Sequence, residues 1–296
     1  ILETLAEAYH QAGNIEKSIK VAEQASAANP FTIKPLLLTG EIALEKGENS
    51  KALEIARKAL TRDEQNVDAI TFLAKVLLKK GDKAQALAAL EKATAGEGAT
   101  LDIMLKHAHL VREIKGVADS RAILENLVSK YPQNTELLKL LAESQWECGD
   151  KVAAEETARH SLRIDSAQPE MHGFLGKLKY EKGNLDQAIQ HYSAQISLEK
   201  DQIDGYLNLA RVYQQQREFH KALDTLQQAI DTNPQDIRAF LTAAGMLKDA
   251  KDYSSAEVML RKAAAVDPKD VNIKRQLGAV IALNLVHKSQ QESSQL

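Results

Sequence analysis

Cysteine is almost missing from this 296-residue chain: Cys148 stands alone, which excludes an intrachain disulfide framework and a thiolate zinc site. An excess of charge of one sign is missing too. With 38 Lys and Arg against 41 Asp and Glu, a net charge of −3 and a pI near 6.3, a general nucleic-acid surface is not expected. Long apolar runs are absent. The longest strictly apolar stretch, Ala279 to Leu283, resumes after Asn284 only as Leu285-Val286, far short of the roughly 20 residues that cross a bilayer. Aromatic residues make up 4% of the chain, against abundant Ala and Leu, a composition that suits thin layers of helix.

What the chain does have is a period. Gly13, Gly47 and Gly81 stand 34 residues apart, and after a blank at Lys115 the series continues at Gly149 and Gly183. A fixed period of that size signals a repeat architecture. Two further ladders keep the same phase: Ala6, Gly40, Ala74, Ala108, Ala142, Gly176, Ala210 and Ala244, then Ser18, Ala52, Ala86, Ser120, Ala154, Ala188, Ala222 and Ala256. Small residues mark where two helices of one repeat approach closely. Large apolar residues surround them at helical spacing, as a buried face requires. They are Leu2, Leu36, Ile70, Met104, Leu138, Tyr206 and Phe240 on the first helix, and Leu90, Leu124, Tyr192, Leu226 and Leu260 on the second. The glycine ends the first helix in a left-handed conformation. Asn14, Glu48, Asp82, Asp150, Asn184, Glu218 or Asp252 then starts the next helix, by capping where the side chain is short and otherwise through the dipole. Pro30, Pro132, Pro234 and Pro268 close second helices.

These residues resemble the tetratricopeptide repeat, whose pattern is complete in Tyr206, Leu209-Ala210, Tyr213, Ala222, Leu226, Ala229 and Pro234. The resemblance covers eight units over residues 1–268. It implies an all-α, right-handed superhelical solenoid of antiparallel helix pairs, with first helices lining a concave groove. Ile1 falls in the third place of a repeat, so the expectation is a fragment whose first repeat is truncated. Residues 269–287 are expected to form a C-terminal capping helix, with Gly278 on the small ladder, and residues 288–296 a polar tail. The capping helix carries Val280, Ile281, Leu283, Leu285 and Val286 over more than one face, which leaves both a buried cap and a self-association surface open.

No arrangement of nucleophile, base and orienting group is recognisable, so no enzyme, cofactor or metal is expected. Gly173-Phe174-Leu175-Gly176-Lys177 has the wrong spacing for a phosphate loop. His107 and His109 lie two apart, and on a helix they point about 200° apart. Function is then assigned to the groove. Its stripes read Glu41 and Glu45; Lys75 and Lys79; His109 and Arg112; Glu143, Trp146 and Glu147; Lys177 and Tyr180; then Arg211. The candidate peptide-binding residues are therefore Lys75, Lys79, His109, Arg112, Trp146, Lys177, Tyr180 and Arg211. Their mix of cations and aromatics suits an extended, acidic peptide or protein segment carrying an apolar anchor.

Variants of the family differ in this groove. A chaperone-type carboxylate clamp pairs Lys with Asn on adjacent first helices, and no Asn flanks Lys75 and Lys79. The asparagine ladder of the glycosyltransferase-associated members is matched only at Asn208 in the series Thr4, Leu38, Phe72, Lys106, Leu140, Phe174, Asn208, Thr242. Three readings follow: a non-catalytic interaction scaffold; an arm of a larger enzyme or of a bacterial envelope or polysaccharide-export machine; or a self-associating module. One junction is irregular. Ala95-Gly96-Glu97-Gly98-Ala99-Thr100 joins the third and fourth repeats with two glycines, and the fourth repeat moves its turn glycine to Gly116, so this is expected to be the most mobile internal site.

Overall fold

The computed structural model describes residues 1–95 and 99–293, with side chains described as far as residue 290. Among the described residues there are 17 helices and no strand. In chain order they are α1 (Leu2–Gln11), α2 (Ile15–Ala28), α3 (Lys34–Glu45), α4 (Asn49–Arg62), α5 (Val67–Lys79) and α6 (Lys83–Ala95). Then come α7 (Leu101–Ile114), α8 (Val117–Lys130), α9 (Thr135–Glu147), α10 (Lys151–Ile164), α11 (Pro169–Glu181) and α12 (Leu185–Leu198). The last are α13 (Ile203–Gln215), α14 (Phe219–Thr232), α15 (Ile237–Asp249), α16 (Tyr253–Val266) and α17 (Val271–Ser293). Odd-numbered helices up to α15 are the first helices of eight repeats, and α17 follows them. Packing divides the chain into two compact units, residues 1–132 with 143–149 and residues 133–142 with 150–296.

The small ladders are buried in all eight repeats, on both the first and the second helices, whereas Gly278, expected to continue the ladder in α17, is exposed. Two serines show what they touch. Ser18 Oγ donates to the Ala6 carbonyl and Ser120 Oγ to the Ala108 carbonyl, each at 2.8 Å, so the two ladders of one repeat meet as the spacing predicts. Glycine replaces Ala where a ring needs the space. A Cβ on Gly40 would stand 2.6 Å from the Phe72 ring, and one on Gly176 would stand 2.7 Å from that of Tyr192. Most of the large apolar positions are buried, but Leu2 is exposed and Met104 half-buried. Leu2 lies in the first turn of α1, which packs chiefly against α2 and α3.

The turns follow one design. Gly13, Gly47, Gly81, Gly149 and Gly183 have φ between 73° and 85°. The next residue's N–H reaches back five residues to a helix carbonyl, as from Asn14 to Tyr9 at 2.8 Å and from Asn184 to Lys179 at 2.9 Å, the hydrogen bond of a Schellman ending. Arg217 and Lys251 occupy the same ladder position without glycine, yet adopt φ of 62° and 61° and keep the same bond, from Glu218 to Tyr213 and from Asp252 to Leu247. Asn14, Asp82, Asp150 and Asp252 accept from the N–H three residues on. Asn184 makes no such bond, nor do Glu48 and Glu218.

In the fourth repeat Gly116 takes φ 107° and precedes α8 directly. Thr100 caps α7 by accepting from Ile103 N at 3.4 Å. The weak junction expected before it includes Gly96–Gly98, which lie outside the described residues. At the other end α17 packs on α16 through Ile273 and Val280, both buried, and continues past His287 to Ser293. The helix is thus longer than its apolar segment.

Candidate functional site

In the first unit, α3, α5 and α7 bound a cavity of about 650 Å3. Its floor is apolar, made by Leu37, Phe72, Leu78, Leu90 and Leu110. The rim carries Glu41, Asp68 and Glu113 against Lys75, Lys106 and His109. The cations of this rim are already engaged. Lys75 is ion-paired with Glu41, its counterpart one repeat earlier, and Lys106 with Asp102 at 2.6 Å. Arg112 lies outside the cavity and directs one Nη at both oxygens of Glu147, at 2.5 and 2.6 Å, with both side chains about one-third exposed. Adjacent first helices are therefore stitched by ion pairs close to one period apart, and the local charge is nearly balanced.

Of the expected residues in this unit, Lys75 and His109 share the cavity. Lys79 lies instead beside Lys80 and the turn Gly47–Lys51. Trp146 is half-buried in α9, next to the carboxylate that holds Arg112. His107 and His109 do not converge: His109 is exposed on the cavity rim, whereas His107 is partly buried, with its Nε2 sealed from solvent and unpartnered. Burial holds the His107 pKa below its ordinary value. No group of three His, Cys, Asp or Glu side chains is placed to hold a metal among the described residues.

The second unit brings Lys177, Tyr180 and Arg211 together. They line a cavity of about 500 Å3 with Phe174, Tyr192, Gln195 and Asn208, to which Gly173 and the carboxylates Glu170 and Glu181 also belong. Burial, then the neighbouring Tyr180, pushes the Tyr192 pKa up to about 12, so its hydroxyl stays neutral. Arg211 Nη1 reaches only Asn208 Oδ1, at 3.4 Å. Among the described residues this guanidinium has no carboxylate partner, unlike Lys75 and Arg112.

Two features escaped the sequence reading. One is the apolar floor of the first cavity: of its residues the sequence singles out only Leu90, as core, and Phe72, as a groove position without Asn, whereas Leu37, Leu78 and Leu110 join them only in the structure. Gln195 was passed over, although the signal was available: the same repeat position holds Ala25, Ala59, Ala93, Leu127, Ser161, Ala229 and Ala263 elsewhere.

The tetratricopeptide repeat profile matches residues 3–67, and a second profile of that description matches residues 43–99 and 179–247. Human cilia- and flagella-associated protein 70 is 26% identical over 144 residues, 47% of this chain and 13% of that protein. The chain thus spans about one-eighth of the length of this curated relative. The C-terminal part of a TPR repeat-containing protein from Cytophaga hutchinsonii superposes with a TM-score of 0.64 at 14% identity, over 81% of this chain and 98% of the other. A chain of the APC/C hetero-tetramer Cut9-Hcn1 gives 0.51 at 15% identity, over 94% and 55%. The fold is shared with proteins that commonly mediate protein–protein contacts, some within larger complexes, and that are generally non-catalytic scaffolds. With eight 34-residue helix pairs in register and these profile matches, the chain belongs to the tetratricopeptide repeat family.

Proposed function

We propose that this protein is a non-catalytic scaffold that binds an extended segment of a partner protein along its first helices. The observation that supports this most directly is the pair of cavities on first-helix faces, one in each unit. One has an apolar floor framed by paired charges, and the other a polar lining with an uncommitted Arg211. An apolar anchor suits the first, because a desolvated side chain there contributes most of the affinity. The preference for acidic sequence falls on Arg211, since Lys75 and Arg112 must give up Glu41 and Glu147 before meeting a ligand carboxylate.

The test is capture from native lysate with residues 1–296, beside a folded variant carrying Leu78→Glu and Arg211→Glu. A partner retained by the parent and lost by the variant supports this reading. Equal capture moves the binding surface to the second helices or to α17.

Self-association is a second reading, supported by α17: Val271, Leu285 and Val286 are 77%, 65% and 54% exposed. Light scattering at rising concentration, with Leu285→Lys as control, tests it.

A further inference from the structure

The Gln195 side chain departs from its repeat in a way that packing alone does not require. Seven equivalent positions hold mostly Ala, all of them buried. Here a carboxamide enters instead, and its Oε1 is sealed from solvent with no hydrogen-bond partner. The amide makes no hydrogen bond among the described residues. Leaving such a group unmade is destabilising, and an Ala would avoid the cost.

A second departure accompanies it. Position 173 is Gly, where the other repeats carry Glu3, Leu37, Thr71, Leu105, Lys139, Leu207 and Leu241. A Cβ there would stand 2.9 Å from both Nε2 and Oε1 of Gln195 and 3.0 Å from Cδ. The amide therefore lies flat over this glycine, its two polar atoms equally placed, so half a turn about the last torsion exchanges them within the same space. Either the donor or the acceptor can then face the cavity that Gln195, Gly173 and Asn208 line.

We propose that Gln195 is the recognition group of a carboxamide subsite in the second unit, turning its donor to the C=O or its acceptor to the N–H of an amide presented by a bound peptide. A carboxamide is the group that can answer either a donor or an acceptor from one position. Arg211 at the same cavity receives an acidic residue flanking that amide. This subsite rests on the reading of the first-helix face as the binding surface, and it specifies what is read there. The amide comes from the peptide backbone or from an Asn or Gln side chain, and the probes separate these sources.

The experiment uses residues 1–296 labelled with 15N-glutamine. N-methylacetamide stands for the backbone amide, propionamide for the side-chain amide, and propionate serves as the acid control. The Gln195 side-chain resonances are expected to shift saturably with at least one amide, and the better probe names the source. In Gln195→Ala, which restores the residue of the other repeats, affinity read from neighbouring resonances is expected to fall at least threefold. Non-saturating shifts, equal binding by the variant, or a stronger response to propionate than to either amide overturns the proposal. Lysate capture reports on the binding face whatever its chemistry, so the two failures are distinguishable.

Discussion

The Gln195 carboxamide occupies the space above Gly173 that a Cβ would fill, with Nε2 and Oε1 both 2.9 Å from that point. Gly173 is within α11, where Ala is worth roughly 0.5–1 kcal/mol more than Gly. In the parent, Gly173→Ala must displace the amide and loses part of that gain. In Gln195→Ala the full gain appears. A double-mutant cycle by urea unfolding is expected to give a coupling of about 0.5–1 kcal/mol, and strict additivity would mean that the two residues do not share the space.

Gly40 is a harder constraint, because its neighbour cannot step aside. A Cβ would stand 2.6 Å from the buried Phe72 ring and 2.9 Å from Ile55 Cγ2. Overpacking of this kind costs about 1–3 kcal/mol. Gly40→Ala is expected to lower the unfolding midpoint accordingly, and Phe72→Leu to recover part of the loss. If Gly40→Ala alone raises the midpoint, helix propensity outweighs the ring contact.

Arg217 and Lys251 hold a left-handed backbone that the other turns assign to glycine. That conformation costs an L-residue roughly 1–2 kcal/mol, while glycine adds freedom to the unfolded chain. Each substitution, Arg217→Gly or Lys251→Gly, is expected to stabilise by about 0.5–1 kcal/mol. An unchanged or lower melting temperature for both would show that side-chain contacts fix these turns.

The repeat, its turns and its close-packed ladders were legible because each depends on one residue type recurring at one distance. Ser18, Ala52 and Gly40 announce a contact whose geometry forbids a larger residue. The binding face was only half legible, since a stripe of cations on a helix carries no record of its partners. Lys75 and Arg112 read as available charges, yet Glu41 and Glu147 hold them across 34 and 35 residues. Lys79 shares a helix with Lys75 but faces the turn at Gly47. Gln195 was visible only as an exception to a ladder, and its meaning needed the glycine above it.

His191 makes the clearest prediction for pH. Its Nδ1 lies 3.2 Å from that of His172, with ring centroids 5.5 Å apart, so the nitrogens meet head-on. His172 Nε2–H donates to the Ser166 carbonyl at 3.2 Å, which leaves its Nδ1 to accept, and His191 must donate. Burial, then His172, Lys179 and Arg159, against an opposing Glu155, bring the His191 pKa down to about 4. Unfolded histidine titrates near 6.5. Between about 6.5 and 4 the unfolded chain therefore binds more protons, so stability falls as pH drops through that window. The ring is only half-buried, and screening reduces the effect to on the order of 1 kcal/mol. Burial acts on His107 in the same direction. Glu155, lowered to about 2 by hydrogen bonds from Lys179 and Lys182, contributes stability above its unfolded pKa that is lost only at more acid pH. Urea midpoints at pH 7 and pH 5 therefore isolate the histidines. The parent is expected to lose stability between them, and His191→Gln, which keeps a donor without the proton, to lose measurably less. An equal loss in both proteins would assign the acid sensitivity to other groups.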